Sequence, residues 1–205
     1  MSATSGQEIL VLVHSVQGST LALAREVARG VESVAAARLR SVPPVTSALK
    51  PRQRDLPEDG PAVVERPDLE ECAGLVLGRP TRFGNMASAV KHFLDGTGGE
   101  WFSGTLAGKP AGVFTSTASM HGGQESTLLS MMIPLLHHGM VLVGLPYTEA
   151  RLTNTRSGGG PYGASHWGGP DSDRDLDDDE IHLARLLGRR VALAAGGLAG
   201  VDLNP

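Results

Sequence analysis

Apolar residues in this chain follow two rhythms. Continuous aliphatic runs stand at residues 8–14, 73–78, 110–116 and 140–145, each short enough to be a strand covered on both faces. A weaker run at 37–42 predicts a further strand. Between them, apolar residues recur at helical spacing. Leu21, Leu23, Ala24, Val27, Ala28 and Val31 mark one helix, 87–94 a second, 126–138 a third and 178–197 a fourth. Pro134 falls inside the third helix and is a candidate bend, and Gly139 follows as its stop. Residues 43–67 are rich in proline and charge and show no periodicity. Residues 146–170 form a second, glycine-rich insertion, and 96–108 a third irregular stretch carrying Trp101 and Phe102.

Strands alternating with helices imply an α/β domain with a parallel sheet and right-handed crossovers. Five strands, with polar loops after the first, third and fourth, fit the flavodoxin-like order 2-1-3-4-5 with helices on both faces. A length of 205 residues suits a single domain over 1–205. The net charge of -4 carries no basic footprint for nucleic acid and no polybasic membrane segment. No apolar stretch approaches a membrane span, and the N-terminus shows no basic region followed by an apolar core and cleavage site. The single cysteine, Cys72, permits no internal disulfide and no cysteine metal cluster, and it opens a predicted strand as an inert core thiol. The expected location is the cytoplasm.

The loops carry the chemistry. Ser15-Val16-Gln17-Gly18-Ser19-Thr20 joins the first strand to the first helix. Helix N-terminal amides, three hydroxyls and a glycine that permits close approach suit a phosphate. No lysine is present, which argues against a nucleoside-triphosphatase loop, and G-x-G-x-x-G is absent. A serine-rich helix cap explains this loop equally well. After the third strand comes Thr81-Arg82-Phe83-Gly84-Asn85-Met86, a cationic, aromatic turn where open α/β sheets bind ligands.

With Phe93-Leu94-Asp95-Gly96-Thr97-Gly98-Gly99, Trp101, Gly122-Gly123-Gln124-Glu125, His137-His138-Gly139-Met140 and Pro161-Tyr162-Gly163-Ala164, that turn resembles the WrbA family of FMN-dependent NAD(P)H:quinone oxidoreductases. The resemblance runs from about residue 8 to 195. It implies that Ser15, Val16, Gln17, Gly18, Ser19 and Thr20 hold the FMN phosphate. Thr81, Arg82 and Phe83, with Gly84 and Asn85, would line the flavin ring. Ser116, Thr117, Ala118 and Ser119, with Gly122 and Gly123, would form a third flavin loop. It places His137 near the flavin as the candidate proton donor, and Trp101, Phe83 and Tyr162 in the substrate pocket. NADH or NADPH is the implied donor, a quinone the acceptor, and a homotetramer the assembly that completes the site. Hydride transfer through flavin N5, with donor and acceptor sharing one space, predicts ping-pong kinetics.

Each residue also has a structural reading. Arg82 can pair with a carboxylate, Phe83 and Trp101 can be core aromatics, and His137 and His138 suit a helix C-terminus. No metal spacing is evident. Aspartates at 171, 173 and 175 mimic a calcium loop, but Leu176 and His182 replace its glycine and glutamate, so an acidic helix start is the simpler reading. Two departures from the family stand out. Gln17 replaces a tyrosine associated with the nicotinamide site, and the loop from Ser116 to Gly123 is longer and poorer in glycine, bringing Met120 and His121 toward the opening. The alternatives are an electron carrier or FMN-binding regulatory protein with little turnover, and a scaffold that uses 43–67 for partners.

Overall fold

The computed structural model describes residues 7–45 and 60–203. Strand β1 (Glu8–Val13) leads into helix α1 (Ser19–Glu32) and strand β2 (Ala36–Ser41). Helix α2 (Arg66–Glu71), strand β3 (Gly74–Pro80), helices α3 (Ser88–Asp95) and α4 (Gly98–Phe102) and strand β4 (Pro110–Thr117) follow. Helix α5 (Gln124–His137), strand β5 (Val141–Leu142), helix α6 (Ala150–Asn154), strand β6 (Ala164–Trp167) and helix α7 (Asp178–Leu198) complete the order.

All pairings between these strands are parallel, in the order β2-β1-β3-β4-β5, as the alternation of runs implied. The fifth position differs from expectation. Instead of one strand over 140–145, Val141–Leu142 pairs with the start of β4, and Ala164–Trp167 pairs with its end. The chain leaves the sheet after Leu142, builds the insertion with α6, and returns to the same edge. Ala164-Ser165-His166-Trp167 has no aliphatic run to betray it. The short helices α2, α4 and α6 also escape the periodicity. Helix α2 is set by local chemistry, since Glu65 and Asp68 form a reciprocal capping box. Most of the 43–67 connection, residues 46–59, lies outside the described residues. Its described end is more ordered than its composition implied, because Val63 bridges in parallel to Ser41.

Alternating side chains of the central strands feed two cores. Ile9, Val11 and Phe114 meet Leu23, Val27, Leu183 and Leu187 of α1 and α7. Leu10, Leu12 and Leu77 meet Val90, Leu128 and Met131 of α3 and α5. Cys72 is buried in the second core, its thiol donating to the Leu69 carbonyl at 3.4 Å, and burial pushes its thiol pKa up. Among the described residues no helix is long and apolar enough to cross a membrane.

Burial pushes the Asp68 carboxyl up, but the Glu65 amide with Arg38 and Arg40 outweighs it and holds the carboxyl below its ordinary value. A depressed carboxylate contributes stability above its unfolded pKa and loses it as pH falls through the folded value. Asp68→Asn is therefore expected to cost roughly 1.5–3 kcal/mol at neutral pH. The gap between variant and parent narrows as pH drops below about 4, measured by urea unfolding across pH.

Candidate active site

Three loops meet at the carboxyl edge of the sheet because the strand register brings their roots level. Val13 pairs with Gly78, and Pro80 pairs with Ser116. Ser15, Gln17 and Thr20 from the first loop, Thr81 and Arg82 from the second, and Ser116 to Ala118 from the third line one cleft of about 150 Å³, and Val16 and Ser19 also reach it. Hydroxyls tie the walls together. Thr20 Oγ1 lies 2.5 Å from Ser116 Oγ, and the Thr127 hydroxyl donates to Thr81 Oγ1 at 2.7 Å. Pro80, Pro170 and Ser172 also line the cleft, and sequence reasoning missed all three.

The first loop has the donor set an anion needs. Gly18 is the N-cap of α1, at φ 98, and offers no side-chain cap. Ser15 Oγ accepts from the amides of Gly18 and Leu21 at 3.2 and 3.3 Å, and Ala22 reaches the Gly18 carbonyl. The Ser19 and Thr20 amides find no acceptor among the described residues. Free amides at the positive end of a 14-residue helix, beside serine hydroxyls, fit a phosphate.

The second loop is a two-residue turn. Arg82 and Asn85 exchange amide-to-carbonyl bonds of 2.9 and 3.1 Å around Phe83 and Gly84. Both central residues have positive φ, 54 and 71. Glycine adopts this region freely, while an aromatic residue there is strained. Phe83 is also fully exposed, so its ring is held out from the protein at the rim. The third loop touches this turn: a Cβ on Gly123 would stand 2.8 Å from the Gly84 Cα. Gly122 packs against Ser119 and Thr117, and Thr117 donates to the Ser119 carbonyl at 2.7 Å.

Trp101 and His137 lie elsewhere. They line a second, wider groove of about 540 Å³ between α3, α4 and α5, which Asn85 and Met86 join at its edge. The two rings stack at 5.6 Å with 24° between planes, and the Trp101 indole N–H donates to the His137 carbonyl at 3.0 Å. Within one chain His137 therefore joins Trp101 and Asn85, not the phosphate loop. Its neighbour His138 points inward. The Thr97 hydroxyl donates to the Leu94 carbonyl and so accepts from His138 Nε2 at 2.9 Å. Burial, with His137 nearby, holds the His138 pKa down. Tyr162 sits half-exposed in the turn between Gly160 and Gly163 and lines neither hollow.

A parallel 2-1-3-4-5 sheet with three polar loops converging at its carboxyl edge defines a flavodoxin-like protein. The chain belongs to the NADPH-dependent FMN reductase family, which matches residues 8–150. It is 44% identical over 201 residues to the NAD(P)H dehydrogenase (quinone) of Chromohalobacter salexigens, covering 94% of this chain and 99% of that one. The same-named protein of Aromatoleum aromaticum is 44% identical over 202 residues, covering 93% and 97%. Among solved structures, a WrbA-like flavodoxin from Agrobacterium tumefaciens superposes with a TM-score of 0.67 at 26% identity, covering 93% of this chain and 98% of that chain. The family resemblance read from the motifs is thus matched by both kinds of relative.

Proposed function

We propose that this chain reduces quinones with electrons from NAD(P)H, using bound FMN. The observation that carries the reading is the convergence of three loops on one cleft whose helix-end amides lack acceptors. The 44% identity to relatives named NAD(P)H dehydrogenase (quinone) supplies the reaction class. FMN supplies two-electron transfer between a nicotinamide and a quinone, chemistry no side chain provides.

The residues of the chain bind, orient and shield. The amides of Ser19 and Thr20, with the hydroxyls of Ser15 and Ser19, would hold the phosphate. The turn from Thr81 to Asn85 and the segment from Ser116 to Ser119, with Gly122 and Gly123 keeping the loops close, would flank the ring and offer backbone donors to its polar edge. Phe83 and Trp101 would form apolar walls for the flat substrates, with Tyr162 at the margin. His137, pinned by Trp101, is the candidate proton donor.

The cleft and the Trp101–His137 groove are separate hollows in one chain, which supports a site completed by a second copy. Leu129, Ile133 and Leu136 follow helical spacing along α5 and are exposed, a face suited to burial between chains. We assign a homotetramer, to be checked by light scattering. The reading takes the chain as one FMN-binding domain over 1–205 acting in the cytoplasm.

The test is steady-state oxidation of NADH and NADPH with benzoquinone, on protein of known flavin content and mass. Turnover with parallel-line kinetics is the expected result. FMN-loaded protein that reduces no quinone with either coenzyme overturns the enzyme reading and leaves an electron carrier. Trp101→Ala is expected to raise the quinone KM roughly two- to tenfold, from a stacking contribution of about 0.5–1.5 kcal/mol, with flavin content unchanged.

A further inference from the structure

The third strand ends on a charge that the fold leaves unanswered. Leu75 and Leu77 of β3 face the second core, and Arg79 takes the next position on the same face. Its side chain is fully buried. Nη2 donates to the Pro80 carbonyl, while Nε and Nη1 are buried with no acceptor among the described residues. No carboxylate among the described residues forms an ion pair with Arg79 or with Arg82. Glu180, in the first turn of α7, shows how the same fold treats another fully buried charge. Its carboxylate accepts from the amides of Gly158, Trp167 and Asp177 and from Arg174, and it faces His166 Nδ1 at 2.7 Å.

A guanidinium held in the interior without a counter-ion costs folding free energy. Burial first, and then the Arg82 charge, push the Arg79 pKa down to about 9, which leaves it a cation at neutral pH. His14, at the end of β1, feels both arginine charges. Burial, together with those charges, outweighs the Val42 carbonyl and holds the His14 pKa below its ordinary value, so its ring is neutral at pH 7. The cluster therefore carries positive charge and nothing that cancels it.

Its place gives that charge a use. Pro80, whose carbonyl the guanidinium meets, lines the cofactor cleft beside Thr81 and Arg82. His14 directly precedes Ser15 of the first loop. The Arg79 backbone is fixed beside the third loop, because its carbonyl accepts from the Thr115 hydroxyl at 2.7 Å and Pro80 pairs with Ser116. A buried cation thus stands under the roots of the loops that form the cleft. A hydride delivered to a flavin adds two electrons and one proton, so the reduced ring holds one negative charge more than the oxidised ring. In a protein interior the attraction between such charges is far less damped than in water.

We propose that Arg79 is the built-in counter-ion of the reduced cofactor: lacking a carboxylate of its own, its guanidinium favours the flavin state that carries the extra negative charge. Arg79 acts through its field and not by contact with the ring. The cofactor's phosphate carries the same charge in both redox states, so its attraction to Arg79 cancels when the two states are compared. The cost of the unpaired cation falls on the empty protein and is offset when electrons arrive from NAD(P)H.

This inference rests on the FMN reading, and the experiment separates the two. The dissociation constant of oxidised FMN is measured by flavin fluorescence on full-length apoprotein and on Arg79→Met. The midpoint potential of the bound flavin, measured without oxygen against a reference dye, then gives the affinity of the reduced state by linkage. In Arg79→Met the preference for reduced over oxidised FMN is expected to fall at least tenfold, a midpoint potential lower by about 30 mV or more. The Tm of the apoprotein is expected to stay the same or rise, since a buried unpaired charge has been removed. Arg79→Gln provides the same comparison if Arg79→Met does not fold. An unchanged preference between the two redox states, or a lower apoprotein Tm with an unchanged potential, makes the guanidinium purely structural and overturns the inference while the FMN reading stands. A parent protein that binds no FMN overturns both.

Discussion

Gly123→Ala is expected to weaken FMN binding about five- to 150-fold while leaving the sheet intact. Gly123 is the N-cap of α5, at φ 91, in the left-handed region that residues with a side chain enter at a cost. The added methyl would meet the Gly84 Cα at 2.8 Å and Ser126 Oγ at 3.1 Å. The hydroxyl can rotate away, but Gly84 is backbone within a closed turn and moves only if the whole turn from Arg82 to Asn85 moves. That turn and the segment after β4 are two of the three walls of the cleft. A backbone penalty of about 1–3 kcal/mol corresponds to the stated loss if it is relieved by parting the loops. Flavin titration with circular dichroism checks both halves of the expectation. Undiminished affinity would show that the contact between the two loops does not shape the site.

The second large effect lies far from the cleft. Gly188→Ala is expected to destabilise the fold by about 1–3 kcal/mol or more and to lower the Tm by roughly 2–4 °C for each kcal/mol. Helices α1 and α7 cross with backbone nearly in contact. A Cβ on Gly188 would stand 2.1 Å from the Val27 carbonyl oxygen, and one on Gly30 would stand 2.0 Å from the Arg185 carbonyl oxygen. Alanine normally gains about 0.5–1 kcal/mol over glycine within a helix, so a loss at this position reports the clash and not propensity. Gly197 supplies the control in the same helix, since nothing lies within 4 Å of its Cβ position. Gly197→Ala is expected to leave the Tm unchanged or slightly raised. Calorimetry of the two variants decides the matter, and equal Tm values would disprove the close crossing.

These two glycines show where the limits of sequence reading fall. A helical pattern with a glycine in it marks Gly188 as a weak point of α7, and only the packed pair shows that α1 requires the absence of a side chain. The predicted site divides in the same way. Loop residues near strand ends were legible because a strand's carboxyl end is where an α/β sheet binds ligands, and polar, glycine-bearing turns there have few other uses. Trp101 and His137 were legible only through family resemblance, and the fold pairs them with each other in a separate groove. Pro170, Ser172 and the cluster of His166, Glu180 and Arg174 gave no local signal. An aspartate-rich stretch before a helix looks like an ordinary acidic start, and Asp177 does cap α7 through the amides of Asp179 and Glu180.

The sequence by itself determined the alternation of buried strands and amphipathic helices, the sheet order, and the loops that carry hydroxyls and amides to one edge. Those features follow from local periodicity and from connection rules that act over neighbouring segments. The tertiary structure alone decided that the fifth sheet position is shared by Val141–Leu142 and Ala164–Trp167, and that a buried carboxylate from the last helix, Glu180, accepts from the amides of Gly158 and Trp167 and from Arg174. Such choices depend on which distant groups satisfy each other's hydrogen bonds and on how closely backbones pack. Those are energies between residues far apart in the chain, and no window along it contains both partners.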